Sequence, residues 1–193
     1  NSYVWRYYRE SMSAEGLTKY RVFVGESDLL VMTRGNLHDM ALREVIRVRR
    51  HLKEYMALHP VFQSSFSPVD VELDTPAIVR TMADAAKVAG VGPMAAVAGA
   101  IAEHVGKVLL QYSEDVIVEN GGDIFLAATE TRRVRIFAGT SPLSNRVGLC
   151  IRRENTPCGV CTSAGTVGPS KSFGKADAVV TVSRSAALAD AAA

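Results

Sequence analysis

The sequence predicts an α+β fold, and the order of its elements is the reason. Two short segments rich in aromatic and β-branched residues come first, three helical segments follow, and a series of short strands precedes a last helix. Elements grouped in this way are typical of α+β proteins, whereas a doubly wound parallel sheet would alternate strands and helices. A chain of 193 residues can bury one good core. We therefore expect a single compact domain over residues 1–193, built from two small modules packed together.

The first strands are predicted from runs of aromatic and β-branched residues. We expect strands over 5–9, 20–24 and 29–33, with the second and third paired across a turn at 25–28. A helix follows, with Asn36 as its predicted N-cap and a proline closing it. Its apolar residues recur at three- and four-residue spacing, which is typical of an amphipathic helix: Leu37, Ala41, Val45, Val48, Leu52 and Tyr55.

Two further helices are predicted after a connecting loop at 61–74, which contains a proline and several Ser and Asp residues. Thr75 is the predicted N-cap of the second helix, which ends near Gly90. The third, over 94–110, is rich in Ala and contains Gly99. Gly inside a helix costs roughly 1 kcal/mol relative to Ala. We therefore expect Gly99 to pack very closely against another backbone or a ligand.

The second half of the chain is rich in strands. Short segments that fit strands are 116–119, 124–127, 134–138, 147–151 and 178–182.

Composition excludes several classes of protein. The net charge is +2, and Lys and Arg are spread along the chain, so there is no electrostatic case for nucleic acid. The local basic cluster between Arg43 and Lys53 is interpreted as a solvated helix face. No run of about 18 uncharged apolar residues suggests a membrane span. Three cysteines, an odd number, do not indicate a disulfide scaffold. We predict a cytoplasmic protein.

The first segment that could carry chemistry is Val118-Glu119-Asn120-Gly121-Gly122-Asp123-Ile124. It is typical of a tight hairpin, because Asn-Gly and Gly-Gly supply the positive φ angles that such turns need. A functional interpretation is also open. Two residues without side chains would let a ligand approach the backbone, with Asp123 beside it.

The second segment runs from 159 to 168 and is rich in Gly, Ser and Thr. Its backbone N–H groups and hydroxyls suit phosphate oxygens, although it matches no Walker loop and an ordinary loop is the simpler interpretation. Cys158 and Cys161 lack the further ligands of a zinc site, so we interpret them as small buried residues. His104, on the small-residue helix, is interpreted as a structural histidine.

Taken together, residues 90–126 and 159–192 resemble the ApbE superfamily. The segments that carry the resemblance are Gly-Val-Gly-Pro-Met-Ala-Ala-Val-Ala-Gly, Val-Glu-Asn-Gly-Gly-Asp-Ile, Cys-Thr-Ser-Ala-Gly-Thr and Leu-Ala-Asp-Ala. The likeness to a branch of short ApbE-like proteins covers nearly the whole chain. The superfamily comprises magnesium-dependent flavin transferases that bind FAD and move FMN onto a protein Ser or Thr. Its fold consists of two T-fold modules.

The resemblance implies a set of site residues. The implied flavin-nucleotide-binding residues lie in the two Gly-containing segments and are Asn120, Gly121, Gly122, Asp123, Thr162, Ser163, Gly165 and Thr166. Asp190 is the implied Mg²⁺ ligand, and its partner Thr would fall just beyond Ala193. Because the chain also begins without Met and stops in a helix-forming run, we expect a native terminal segment to lie outside this sequence.

Two departures from the superfamily pattern concern catalysis. The region 93–99 has no Lys, and 170–175 replaces the segment that supplies a catalytic His. One hypothesis is an enzyme that uses Asp123 or Lys171 as its base. The other is a non-catalytic binding protein that serves as a carrier or metabolic partner. An acceptor protein and a homodimer both stay open as partners.

Overall fold

The computed structural model describes residues 7–10, 12, 14–163 and 175–193, which form antiparallel sheets covered by helices. The strands are β1 (Thr18–Val24), β2 (Ser27–Thr33), β3 (Val116–Asn120), β4 (Asp123–Ala127), β5 (Arg132–Arg135), β6 (Gly148–Ile151), β7 (Cys158–Ser163) and β8 (Val179–Ser183). The helices are α1 (His38–Leu58), α2 (Pro60–Ser64), α3 (Ala77–Ala89), α4 (Val97–Leu109) and α5 (Ala186–Ala192).

Six strands form the main sheet in the order β1-β2-β3-β4-β7-β8, and β5 pairs with β6 in a separate ribbon. Every pairing is antiparallel. This arrangement, antiparallel sheets with helices, is compatible with the predicted α+β class.

The main core lies between one face of the six-stranded sheet and the helices. Val22, Val31, Val118 and Phe125 point from the strands into this layer, where they meet the apolar stripes of α1, α3 and α4. A smaller apolar cluster lies on the opposite face of the sheet. There Val134 and Leu149 of the β5–β6 ribbon pack over Ile124, Leu126 and Val160. Strand residues alternate between the two faces, so both faces of β4 are buried.

Four helix boundaries differ from those predicted. A proline starts α2 instead of only ending α1, because its missing N–H is not needed in the first turn of a helix. Pro76 rather than Thr75 occupies the N-cap position of α3. Residues Pro93–Ala96 form a 3₁₀ turn ahead of α4. Asn36 precedes the true N-cap, Leu37, although its side chain does accept a hydrogen bond from the N–H of His38 at 3.0 Å.

Two strand predictions are wrong in instructive ways. Tyr7–Arg9 is a 3₁₀ turn, because the side chains of Tyr8 and Arg9 reach inward to Glu119. Cys158–Ser163, predicted as part of a loop, is the fifth strand of the main sheet.

The basic face of α1, predicted to be solvated, has an exception. Arg49 folds back and donates a hydrogen bond to the Ser27 hydroxyl at 2.6 Å.

None of the helices in the described ranges combines the length and the hydropathy that a transmembrane segment requires. The pair Ala77–Ala89 and Pro93–Leu109 meets that criterion only when taken together across a bend of 107°. Both helices contribute residues to the main core.

Candidate functional site

The turn between β3 and β4 is the tight hairpin that its sequence predicts. Asn120 pairs with Asp123 across it, and both central residues have positive φ, 74° at Gly121 and 109° at Gly122. L-residues with side chains rarely adopt such angles, so glycine is required at this point. The turn places Asn120 and Asp123, each buried, side by side at one end of the sheet.

The end of β7 lies directly against this turn. Ile124 pairs with Val160, so Thr162, two residues further along β7, runs alongside Gly122. A Cβ atom added to Gly122 would lie 3.6 Å from the carbonyl oxygen of Thr162. Two of the predicted binding segments, about 40 positions apart in the sequence, are therefore neighbours, and Thr162 and Ser163 are both partly exposed here. Gly165, Thr166 and Lys171 lie outside the described residues.

Asp190 reaches the same place from α5. Its Oδ2 accepts a hydrogen bond from the N–H of Gly99 at 2.7 Å. Burial of the carboxyl, followed by the charge of nearby Asp123, raises the pKa of Asp190 well above its usual value. The pKa of the Cys161 thiol is also raised, first by burial and then by the charges of Asp123 and Asp190. Residues from β4, β7 and α5 thus meet in one site.

Close backbone packing makes this meeting possible. A Cβ atom on Gly99 would overlap the carbonyl oxygen of Ala186 in α5, and one on Gly159 would overlap the Cα of the same residue. Asn120 adds a side-chain bond to the carbonyl of Ala98 at 3.1 Å. The predicted close packing of Gly99 is confirmed, and its neighbour is the backbone of α5.

Glu103, which the sequence reasoning did not single out, fixes the start of α5. Its Oε2 accepts from the Ser185 hydroxyl at 2.8 Å and from the N–H of Ala187 at 3.2 Å, while Lys107 donates to Oε1 at 2.5 Å. Burial raises the pKa of Glu103, but the bonds from Lys107, Ser185 and Ala187 outweigh burial and hold the pKa below its usual value. This buried carboxylate fixes the helix that carries Asp190.

Glu119 is the second site residue that the sequence reasoning missed. Its side chain is buried to 1% exposure and pairs with Arg9, Nε to Oε2, at 2.5 Å. Oε1 accepts from the Tyr8 hydroxyl and from the N–H of Gly122, both at 2.8 Å. A charged residue in an otherwise apolar strand was the available signal, because buried carboxylates require partners.

The other candidates of the sequence reasoning have structural roles. His104 shares a hydrogen bond with Thr81 at 3.1 Å. The three cysteines are free; Cys150 is exposed, and Cys158 and Cys161 are buried.

The donor set of the site fits a magnesium ion better than zinc. In the part of the chain that the structure describes, no group of three or more His, Cys, Asp and Glu side chains could hold a metal ion. Two carboxylates, Asp123 and Asp190, do act on one another. Mg²⁺ is commonly held by one or two carboxylates and completes its shell with waters and substrate phosphates. Zinc would need about four protein ligands in a structural site.

Fold and site together define an α+β protein with a carboxylate-flanked glycine turn at one end of its main sheet. The family model described as "AbpE bacteria" matches residues 9–193, and the chain belongs to this ApbE-related family.

Relatives from methanogens support the assignment. The chain is 45% identical over 158 residues to a UPF0280 protein of Methanococcus aeolicus, covering 80% of this chain and 64% of the relative. It is 44% identical over 178 residues to a UPF0280 protein of Methanocaldococcus jannaschii, covering 91% and 72%. A UPF0280 protein of Methanocella arvoryzae is 43% identical over 176 residues, covering 91% and 71%. The chain therefore spans about two thirds of the length of these relatives.

Proposed function

We propose that the chain binds a flavin nucleotide, FAD or FMN, together with Mg²⁺ at the junction of the glycine turn and α5. The observation that carries this proposal is the presence of two carboxylates at one site: burial, followed by the charge of Asp123, raises the pKa of Asp190. Two carboxylates at close range disfavour each other's ionised form. A divalent cation offsets that repulsion, and the ligand's phosphates complete its coordination.

The surrounding groups support a phosphate ligand. Gly121 and Gly122 have no side chains to block an approach to the backbone of the turn. Thr162 and Ser163 bring hydroxyl groups to the same end of the sheet, and hydroxyls donate hydrogen bonds to phosphate oxygens. Gly165 and Thr166, which the family resemblance also implies, lie outside the described residues. The ApbE-related family membership supports the flavin part of the ligand and an arrangement in two T-fold modules.

A second candidate function is transfer of the flavin, favoured by the position of Asp123 beside the turn. In that reaction FAD and a protein hydroxyl would yield AMP and an FMN ester of the acceptor. The hydroxyl proton must pass to a base, and Asp123 and Lys171 are the two residues proposed for it. If the site has no such base, the chain binds the flavin without reaction and acts as a carrier or metabolic partner protein.

The test is titration of FAD and FMN, with Mg²⁺ or with EDTA, into the wild-type chain and the Asp190→Asn and Asp123→Asn variants. Asp84→Asn is the matched control, because Asp84 is an exposed carboxylate on α3. We expect Mg²⁺ to tighten wild-type and control binding about tenfold or more, a change of about 1.4 kcal/mol. Both site variants should lose this gain, so that their affinity with Mg²⁺ equals the affinity of the wild type in EDTA.

Equal affinities for all four proteins in both conditions would contradict the proposal. The same samples, incubated with FAD and analysed for AMP, separate transfer or hydrolysis from binding alone.

A further inference from the structure

Residues 131–153 carry an unusual concentration of positive charge. They contain six arginines, no lysine and no acidic residue. Removing these six from the 22 basic residues of the chain leaves 16, against 20 acidic residues elsewhere. The sequence reasoning treated basic residues as spread along the chain, and this segment is the exception. The rest of the protein therefore has the opposite net charge.

The three arginines of β5 lie on two different sides of the β5–β6 ribbon. Val134 faces Leu149 across the ribbon, and both pack inward against the smaller apolar cluster. Arg132, on the same side, turns to Asp115 at 3.2 Å. Because side chains alternate along a strand, Arg133 and Arg135 lie on the outer side, and both are exposed.

The outer arginines have no acidic partners of their own. No ion pair within residues 7–10, 12, 14–163 and 175–193 involves Arg133, Arg135, Arg146 or Arg153. Exposed guanidinium groups without partners repel one another at low salt. Such a cluster gains most from an external group that carries carboxylates or phosphates, which guanidinium binds in a bidentate manner.

Three apolar side chains are exposed in the connection between β5 and β6. The exposed fractions are 40% at Phe137, 59% at Leu143 and 43% at Val147. Arginine mixed with exposed aromatic and aliphatic groups is the composition of protein–protein interface centres, from which Lys and the acidic residues are depleted. A duplex nucleic acid keeps its bases stacked inside the helix and offers these groups no apolar side chains to contact.

We propose that the exposed residues of 133–147, with Arg133, Arg135 and Arg146 as the charged groups, dock a protein segment in which carboxylates alternate with apolar or aromatic residues. Charge complementarity selects the acidic partner, and the three exposed apolar groups select a polypeptide over a simple polyanion. The remaining chain has a net negative charge, which opposes a long nucleic acid that extends beyond the patch. The inference does not depend on flavin binding.

The probe is a random copolymer of glutamate and tyrosine, compared with poly-L-glutamate at equal carboxylate concentration. We expect the wild type to bind the copolymer more tightly, and its affinity to fall as salt is raised from 50 to about 300 mM, because exposed charges are screened. The Arg133→Glu/Arg135→Glu variant should bind both polymers about tenfold more weakly or worse. Leu143→Ser should bind poly-L-glutamate normally and lose only the preference for the copolymer. We choose Leu143 because Phe137 also stacks on Tyr8, with ring centroids 5.9 Å apart.

The control is Arg43→Glu/Arg50→Glu, which reverses two exposed charges on α1 and should leave both affinities within about twofold. Duplex DNA and vesicles of phosphatidylserine and phosphatidylcholine form the remaining arms. Tighter binding to either of them than to the copolymer would overturn the proposal. So would equal binding by the wild type and the Arg133→Glu/Arg135→Glu variant, or no binding to the copolymer at all. Circular dichroism and thermal melts establish that each variant is folded before its affinity is interpreted.

Discussion

The carboxylate of Glu119 accepts a hydrogen bond from the N–H of Gly122 at 2.8 Å, so the strand residue that precedes the turn holds the backbone of the turn itself. The same carboxylate pairs with Arg9, which also reaches Asp28, Nη1 to Oδ2, at 2.9 Å. The 3₁₀ segment near the start of the chain is thereby joined to the candidate flavin site through one buried side chain.

Replacing Glu119 with Ala should destabilise the protein by about 3 kcal/mol, because it leaves the buried Arg9 with half of its carboxylate partners. Glu119→Gln should cost less, since an amide oxygen can still accept from Gly122. Urea unfolding measures both values. Glu114→Gln is the control, because the Glu114 side chain is 76% exposed. A loss below about 1 kcal/mol in Glu119→Ala would place Glu119 among ordinary surface carboxylates.

Gly99→Ala tests the contact between α4 and α5. The new methyl group would overlap the Ala186 carbonyl, and overpacking of this kind costs about 1–3 kcal/mol. Because Gly99 also donates to Asp190, the variant should lose the gain in flavin affinity with Mg²⁺. Ala95→Ser, at an exposed position one turn earlier, is the control. A Gly99→Ala protein as stable as the wild type would show that α5 shifts freely on α4.

Glu103→Ala should release the start of α5. Ser185 and the N–H of Ala187 would lose a charged acceptor, and a buried donor without its partner costs about 1–3 kcal/mol. Amide exchange in 186–192 should accelerate more than exchange in the β1–β2 hairpin. Glu130→Gln, at an exposed position, should change neither. Uniform acceleration throughout the chain would indicate global destabilisation and contradict this local role.

Asp115 should govern part of the acid stability. Burial raises its pKa, but bonds from the N–H and hydroxyl of Thr129, from Arg34 and from Arg132 lower the pKa from 3.8 to about 2. The folded-state pKa lies below the unfolded one. The ionised Asp115 carboxylate therefore makes its full contribution to the free energy of unfolding above about pH 4. That contribution is lost as the pH falls from there towards about 2.

Urea unfolding from about pH 5 to about pH 2.5 checks this expectation. The difference in unfolding free energy between the wild type and Asp115→Asn should shrink steadily as the pH falls. The unfolding free energy of Asp84→Asn should change with pH in the same way as that of the wild type. A gap that stays constant across the range would show that Asp115 stabilises the fold without its charge.

Local sequence patterns predict most of this fold. The stripe from Ala41 to Leu52 is buried on α1 as its spacing indicates, and Gly90 ends α3 in the left-handed conformation. The strand at Cys158–Ser163 was missed because a cluster of Gly, Ser and Thr is typical of a loop and because Gly is depleted in strands. It forms because Gly159 and Cys161 pack against Ala186 of α5, a contact that only the folded chain provides.

The candidate site is predictable only in part. Turn chemistry locates Gly121 and Gly122, since their φ angles are a local property. The roles of Glu103 and Glu119 depend on partners 82 and 110 positions away, at Ser185 and Arg9. No local pattern encodes such pairings, although buried carboxylates in apolar segments indicate that partners must exist.

The bond between Gly99 and Asp190 spans 91 positions of the chain, which sets an order of events during synthesis. A ribosome adds roughly 5–20 residues per second, so α4 is exposed to solvent for several seconds before α5 emerges. During that interval the groove beside Gly99 and Gly159 has no occupant from its own chain. The nascent protein can present an unfinished apolar surface to chaperones, and the proposed ligand binding at the turn requires that α5 has first left the exit tunnel.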